Sequence, residues 1–205
     1  MIELQGLNAC QESAVKAVHG PVMVLAGAGS GKTRVLTNRI AYMVNEAGID
    51  PDNILAITFT NKAANEMSRR LENLLDGNTG RMLVSTIHSM CSRILRYETN
   101  SLRGRYSPGF SIYTSAESEH VMKNVLKKFT LTESESKINF LYHAGTAKNE
   151  ALTPEEYFNE YLITDKNGEL IREVIEKYNE TLKENNAMDF DDLLYNCYTL
   201  FKNDA

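Results

Sequence analysis

Ala26-Gly27-Ala28-Gly29-Ser30-Gly31-Lys32-Thr33 combines residue types and spacing that can do chemistry on phosphate. Glycines let backbone N–H groups curl around an anion, and a helix opening behind them adds a partial positive charge. Lys32 can reach the β- and γ-phosphates of a nucleoside triphosphate, and Thr33 can put its hydroxyl on Mg²⁺. Ala26 stands where a phosphate-binding loop usually starts with Gly. The plainer reading is a glycine-rich strand-to-helix turn with no ligand. Lys followed by Thr at the end of the loop argues against it.

The flanks supply the elements that must position these groups. Pro21-Val22-Met23-Val24-Leu25 precedes the loop and reads as a strand over Val22–Leu25; a helix is predicted from about Gly31 to Ala47, stopping at Gly48. Leu7 to His19 reads as a helix ahead of them, Ile54–Phe59 as a second strand, and Met82–Thr86 as a third. Thr60 is placed to cap a helix over Asn61–Leu75, and another helix is expected over His88–Glu98. Strands alternating with helices predict an α/β fold with a parallel sheet. Past residue 100 the pattern becomes almost wholly helical. Thr114 with Glu117 fits a capping box before Val121–Phe129, and Thr153 with Glu156 another before Tyr157–Leu162. Asp165–Gly168 reads as a turn and Glu169–Asn185 as a charged amphipathic helix.

Composition bounds the classes. The 205 residues are 42% hydrophobic and 24% charged, ordinary for a globular protein. No apolar run approaches the roughly 20 residues of a membrane span, and the first residues lack the pattern of a secretory signal. Cys10, Cys91 and Cys197 have neither disulfide-framework nor metal-ligand spacing, so buried thiols in a reducing compartment, the cytoplasm, are expected. The net charge of −5 argues against blanket attraction to nucleic acid. The charge is uneven: residues 150–192 hold 13 acidic and 4 basic residues, residues 1–149 hold 13 acidic and 17 basic. Arg81, Arg93, Arg96, Arg103 and Arg105 form either a local basic surface or a solvated arginine-rich face.

Five ordered blocks, taken together, resemble the UvrD/Rep/PcrA family of superfamily 1 DNA helicases. Leu7-Asn8-Ala9-Cys10-Gln11 is similar to the family's Q motif. Gly31-Lys32-Thr33-Arg34 closes the loop in its helicase form, for which an Ala at position 26 is normal. Thr58-Phe59-Thr60-Asn61-Lys62-Ala63-Ala64-Asn65-Glu66-Met67 resembles motif Ia. Ser85-Thr86-Ile87-His88-Ser89 resembles the Thr-Phe-His-Ser block, with Ile87 in place of Phe. Met188-Asp189-Phe190-Asp191-Asp192-Leu193-Leu194 resembles the return from a helical insertion. Its carboxylates read as helix N-terminal acids, with Asp189 the N-cap and Asp192 the third helical position, rather than as a metal site.

The resemblance implies roles. Gln11 would select adenine through its amide, Arg34 would pack against the base, and residues 26–33 would hold ATP with Mg²⁺ on Thr33. Lys32 and Thr33 would carry the catalytic work assigned to this half. Phe59 could stack on a base, and Thr60, Asn61, Lys62, Thr86 and His88 would contact the DNA backbone. Taken singly, Gln11 and Arg34 read as exposed helix residues, Phe59 as a core strand residue, and His88 as structural. The implied fold is an incomplete RecA-like P-loop NTPase sheet with an inserted all-helical subdomain. It is divided as 1–99, 100–186 and a return at 187–205 that stops before Walker B. The implied whole is a 3′-to-5′ ATP-dependent helicase acting on single-stranded DNA and single/double-strand junctions. It would need a second motor domain, and this part is expected to be inactive alone. A non-catalytic nucleotide- or DNA-binding module and a recombination-type helicase–nuclease subunit remain as alternatives. A P-loop kinase or GTPase conflicts with Gln11 and the motif Ia and Thr-Ile-His-Ser blocks.

Overall fold

Short-range capping starts most of the helices. The computed structural model describes residues 6–98 and 106–203, so Arg103 and Arg105 of the arginine group lie outside the described residues. The chain divides into two compact units, Met1–Met90 and Cys91–Ala205. In the first, Asn8 caps α1 (Ala9–Lys16) and exchanges hydrogen bonds with Gln11 in a capping box. Gly31 opens α2 (Lys32–Asn45). Thr60 caps α3 (Asn61–Leu74), its hydroxyl accepting from the Ala63 N–H. The strands are β1 (Leu55–Thr58) and β2 (Leu83–Thr86), and α4 (Ile87–Tyr97) follows β2 and runs on into the second unit.

β1 and β2 pair in parallel, from Leu55 opposite Leu83 to Thr58 opposite Thr86, with α3 as the crossover. Ala64, Met67 and Leu71 recur at helical spacing on α3. Met67 and Leu71 pack against Ile40, Ala41 and Val44 of α2 and against Ile54 and Ala56. Burying one such Leu contributes about 1.5–3 kcal/mol. This core fixes the body of α2 and leaves its N-terminus to carry the glycine loop.

The strand expected over Val22–Leu25 is not formed. Residues 21–27 have no regular structure, and among the described residues the first unit's sheet contains only β1 and β2. Met23 and Leu25 are 82% and 87% exposed. An apolar run becomes a strand only where a ladder partner meets it, and none does among the described residues.

The second unit comprises β3 (Ser111–Ile112), α5 (Ser115–Leu126), α6 (Phe140–Asn149), α7 (Pro154–Tyr157), α8 (Gly168–Glu184), β4 (Ala187–Met188) and α9 (Phe190–Asn203). Its core centres on α8, where Ile171, Val174, Ile175, Tyr178 and Leu182 form one buried stripe. The Thr114–Glu117 and Thr153–Glu156 capping boxes are both present. The helix after Thr114 begins at once, at Ser115, rather than at Val121. The helix expected over Tyr157–Leu162 is instead the end of α7 followed by a π-helical turn, Phe158–Leu162. The wholly helical expectation also missed a short parallel pairing, Ser111 with Ala187 and Ile112 with Met188. Two-residue strands carry too little periodicity to be read from sequence.

Cys91 and Cys197 are buried as expected, but Cys10 is exposed on α1. Burial pushes the Cys197 thiol up to about 12, and Cys91 is raised for the same reason. No helix among the described residues is long and apolar enough to cross a membrane.

Candidate functional site

Gly29 and Gly31 adopt positive φ of 73° and 82°, conformations that a side chain disfavours. They turn the chain so that α2 starts at Lys32 with no side-chain cap. The first turn of α2 therefore has no side-chain cap, whereas α1, α3, α5 and α7 are capped by Asn or Thr oxygens. The loop closes on itself through Ser30, whose hydroxyl donates to the Gly27 carbonyl at 2.7 Å. Lys32 folds over it: Nζ donates to the carbonyls of Gly27 at 2.7 Å and Ala26 at 3.3 Å. An ammonium held at the loop and an uncapped helix N-terminus behind it together concentrate positive charge on this loop. A Cβ at Gly27 or Gly29 would meet nothing within 4 Å, so the space around the loop is open. Thr33 is exposed one residue into α2.

Gln11 reaches the loop from α1. Its Oε1 accepts from the Asn8 N–H at 2.9 Å, and its Nε2 donates to the Ser30 carbonyl at 3.0 Å. One side chain thus caps a helix and braces the phosphate-type loop. The Asn-x-x-Gln spacing at residues 8–11 is the sequence signal for this cap. Arg34 lies on the exposed side of α2 with its guanidinium beside Gly6: a Cβ there would sit 2.8 Å from the Arg34 Nη2.

The motif Ia and Thr-Ile-His-Ser residues meet at the carboxyl ends of adjacent parallel strands. Thr58 and Thr86 are register partners. Thr86 is buried and donates its hydroxyl to the Ser89 Oγ at 2.8 Å, while accepting from the Ser89 N–H. Ser89 donates in turn to Asn61 Oδ1 at 3.5 Å. A chain of hydrogen bonds therefore ties α3's first residue to the start of α4. Beside it Phe59 is fully exposed, so the core reading that periodicity favoured does not hold. Lys62 is exposed and His88 half-buried. Carboxyl ends of parallel strands are where open α/β sheets gather ligands.

Within the arginine group, Arg81 donates through Nε to Asp52 Oδ2 at 2.8 Å, and its backbone N–H donates to Asp52 Oδ1. Those hydrogen bonds hold the Asp52 carboxyl below its ordinary range. Arg96 donates to the carbonyls of Pro108 and Phe110 and lies over the Phe110 ring. Both arginines thus perform structural work within their units.

Asp189 and Asp192 form the N-terminal cap of α9 as expected: Asp192 N–H donates to Asp189 Oδ1, and Asp189 N–H to Asp192 Oδ2. Unforeseen was their partner. Buried Lys148 on α6 lies 2.7 Å from Asp189 and 2.9 Å from Asp192, and the Tyr178 hydroxyl donates to Asp189. No group of side chains with metal-holding geometry occurs among the described residues.

A glycine loop braced by a helix glutamine, and polar blocks on neighbouring strand ends, define a protein of the helicase class when set beside known sequences. The family profile of the UvrD/REP helicase N-terminal domain matches residues 7–205, and the chain belongs to that family. It is 42% identical over 199 residues to the ATP-dependent DNA helicase PcrA of Bacillus subtilis, covering 97% of this chain and 26% of the relative. It is 40% identical over 200 residues to the proteins of that name from Staphylococcus epidermidis and Staphylococcus aureus, covering 97% of this chain and 27% of each. The chain thus spans about a quarter of the length of these relatives.

Proposed function

We propose that this chain is the nucleotide- and DNA-binding N-terminal part of a 3′-to-5′ ATP-dependent DNA helicase or translocase. The observation that carries the reading is the uncapped start of α2 behind a glycine loop, with Lys32 Nζ 2.7 Å from the Gly27 carbonyl. On this reading residues 26–33 belong to a RecA-like P-loop sheet. Backbone N–H groups of the loop and of α2 bind the triphosphate. Lys32 exchanges its loop carbonyls for β- and γ-phosphate oxygens. Thr33 offers its hydroxyl to Mg²⁺, which when bound neutralises developing phosphate charge. Gln11 and Arg34 hold the adenine.

Phe59 gives a stacking face for a base of single-stranded DNA. Asn61, Lys62, His88 and the helix starts at Thr60 and Thr86 hold its backbone. The hydrogen-bonded link from Asn61 through Ser89 to Thr86 keeps the two DNA-facing blocks in register. The domain division proposed is 1–99, 100–186 and a return at 187–205. The second motor domain, single/double-strand junctions as substrate and a cytoplasmic location belong to the same proposal.

The test is equilibrium binding of ATP·Mg²⁺ and of a single-stranded oligonucleotide to the chain, followed by DNA-stimulated ATP hydrolysis in the full-length protein. ATP binding abolished by Lys32→Ala supports the reading. ATP affinity unchanged in that variant overturns the nucleotide site. GTP binding as tight as ATP removes Gln11 from the base site.

A further inference from the structure

The second unit carries an aromatic row outside the proposed DNA- and nucleotide-binding residues. Tyr142 and His143 of α6 stand edge-to-face at 5.5 Å, His143 and Tyr157 at 6.1 Å, and Tyr157 and Tyr161 at 5.4 Å with rings 34° apart. The His143 Nδ1 and the Tyr157 hydroxyl share a hydrogen bond of 3.0 Å, which fixes the middle of the row. Tyr157 is buried, but the ends are open: Tyr142 is 64% and Tyr161 50% exposed, with Ile163, two residues after Tyr161, at 65%. The π-helical turn Phe158–Leu162 carries Tyr161, and such turns are uncommon and concentrate at functional sites.

Exposed carboxylates act on the Tyr161 end and the middle of the row. The charge of Glu160, and to a lesser degree that of Glu150, raises the exposed Tyr161 phenol, while burial lowers the His143 imidazole against the opposing charge of Asp165. Lys137, Lys148 and Lys166 each lie five residues from the row in sequence and are engaged elsewhere: Lys137 pairs with Glu133, Lys148 with Asp189 and Asp192, and Lys166 acts on Glu135. Residues 150–192 as a whole carry 13 acidic against 4 basic side chains. Exposed aromatic faces fringed by carboxylates attract guanidinium and ammonium groups, through the ring quadrupole and through charge. The same fringe repels phosphate, so base stacking by DNA is disfavoured here although the tyrosines could stack.

We propose that the Tyr142–Tyr161 face, with Glu150, Glu160 and Asp165, is a docking surface for a basic, arginine-bearing segment of a partner protein. Tyr142 and Tyr161 take the cationic side chains on their faces. The glutamates hold the remaining guanidinium protons. Tyr157 and His143 keep the row rigid, so little ordering is needed on binding.

The probe is an arginine-rich nonapeptide, titrated into the 205-residue chain by calorimetry at moderate salt, with an oligothymidylate as competitor. Tyr142→Ala with Tyr161→Ala should weaken peptide binding about tenfold or more, and Glu150→Gln with Glu160→Gln by a similar factor. All four positions are exposed, and circular dichroism with an unchanged melting temperature verifies that each double variant is folded. Peptide affinity unaltered in either folded double variant overturns the proposal. So does an oligothymidylate that displaces the peptide and loses affinity in the tyrosine variant, because the face would then be a nucleic-acid surface.

Discussion

Gly31 and Phe59 illustrate how single residues separate structural from ligand-binding work. Gly31 sits at φ 82° ahead of a helix with no side-chain cap, the backbone arrangement on which the proposed nucleotide site rests. Lys32 already points its ammonium at the loop, and Lys32→Ala is expected to abolish measurable ATP binding by calorimetry while leaving the melting temperature without nucleotide nearly unchanged. Phe59 is fully exposed. Truncating it removes no buried area, so Phe59→Ala should leave stability within about 0.5 kcal/mol of the parent. It should weaken single-strand binding by about 1–3 kcal/mol, read by fluorescence anisotropy of a labelled oligonucleotide. A large fall in melting temperature would return Phe59 to the core. Thr86 gives the opposite expectation. Its hydroxyl is spent on Ser89 at the start of α4, so Thr86→Ala should cost about 1 kcal/mol of stability and Thr86→Ser should restore it.

Elements were legible where their signals are local. Thr60, Thr114, Thr153 and Asp189 cap the helices that their spacing to the third helical residue announces. β1 and β2 were legible as apolar runs because each has the other as partner. Val22–Leu25 gave the same local signal and failed, because a strand is a non-local object. The Lys148 cluster was illegible for the same reason. Lys148 lies 41 residues before Asp189 and reads in sequence as an ordinary surface charge. In the fold it fastens α6 to the cap of α9. Burial and the neighbouring Asp189 charge outweigh Lys148 and push the Asp192 carboxyl up to about 6. Burial alone would lower the Lys148 ammonium, but Asp192 and Asp189 together hold it above the usual lysine value. Removing Lys148 with Lys148→Met strands the buried Asp192 carboxylate and the partly buried Asp189 and should cost about 3–5 kcal/mol in urea melts, partly recovered by adding Asp192→Asn. The pH dependence follows in sign. Asp192's folded pKa lies above its unfolded value, so the stability it contributes is complete below about pH 4 and is lost as pH rises through about 6. The stability difference between the parent and Asp192→Asn should therefore shrink across that window as pH rises. A difference independent of pH between about 4 and 6 would show that Asp192 does not titrate there.

At the scale of the whole molecule, the two units differ in how completely they bury their apolar surface. The second has a continuous core around α8 with Val174, Ile175, Tyr178 and Leu182 at 0% exposure. The first has a smaller core over α2, β1 and α3, and leaves Met23, Leu25, Leu55 and Ile57 from 41% to 87% exposed. Less burial means less opposition to chain entropy, so the first unit should melt first. The proposed nucleotide loop belongs to that unit, and binding to the folded form alone stabilises it by about 2.7 kcal/mol at a hundredfold excess over the dissociation constant. For a domain of this size each kcal/mol moves the midpoint by about 4–8 °C. Scanning calorimetry of the chain should therefore resolve two transitions. ATP·Mg²⁺ should raise the lower one by about 10 °C or more and leave the upper one in place. Lys32→Ala should abolish that shift without moving either midpoint in the absence of nucleotide. If ATP·Mg²⁺ raised the upper transition instead, the triphosphate would be binding the helical unit, and the glycine loop would lose its assignment.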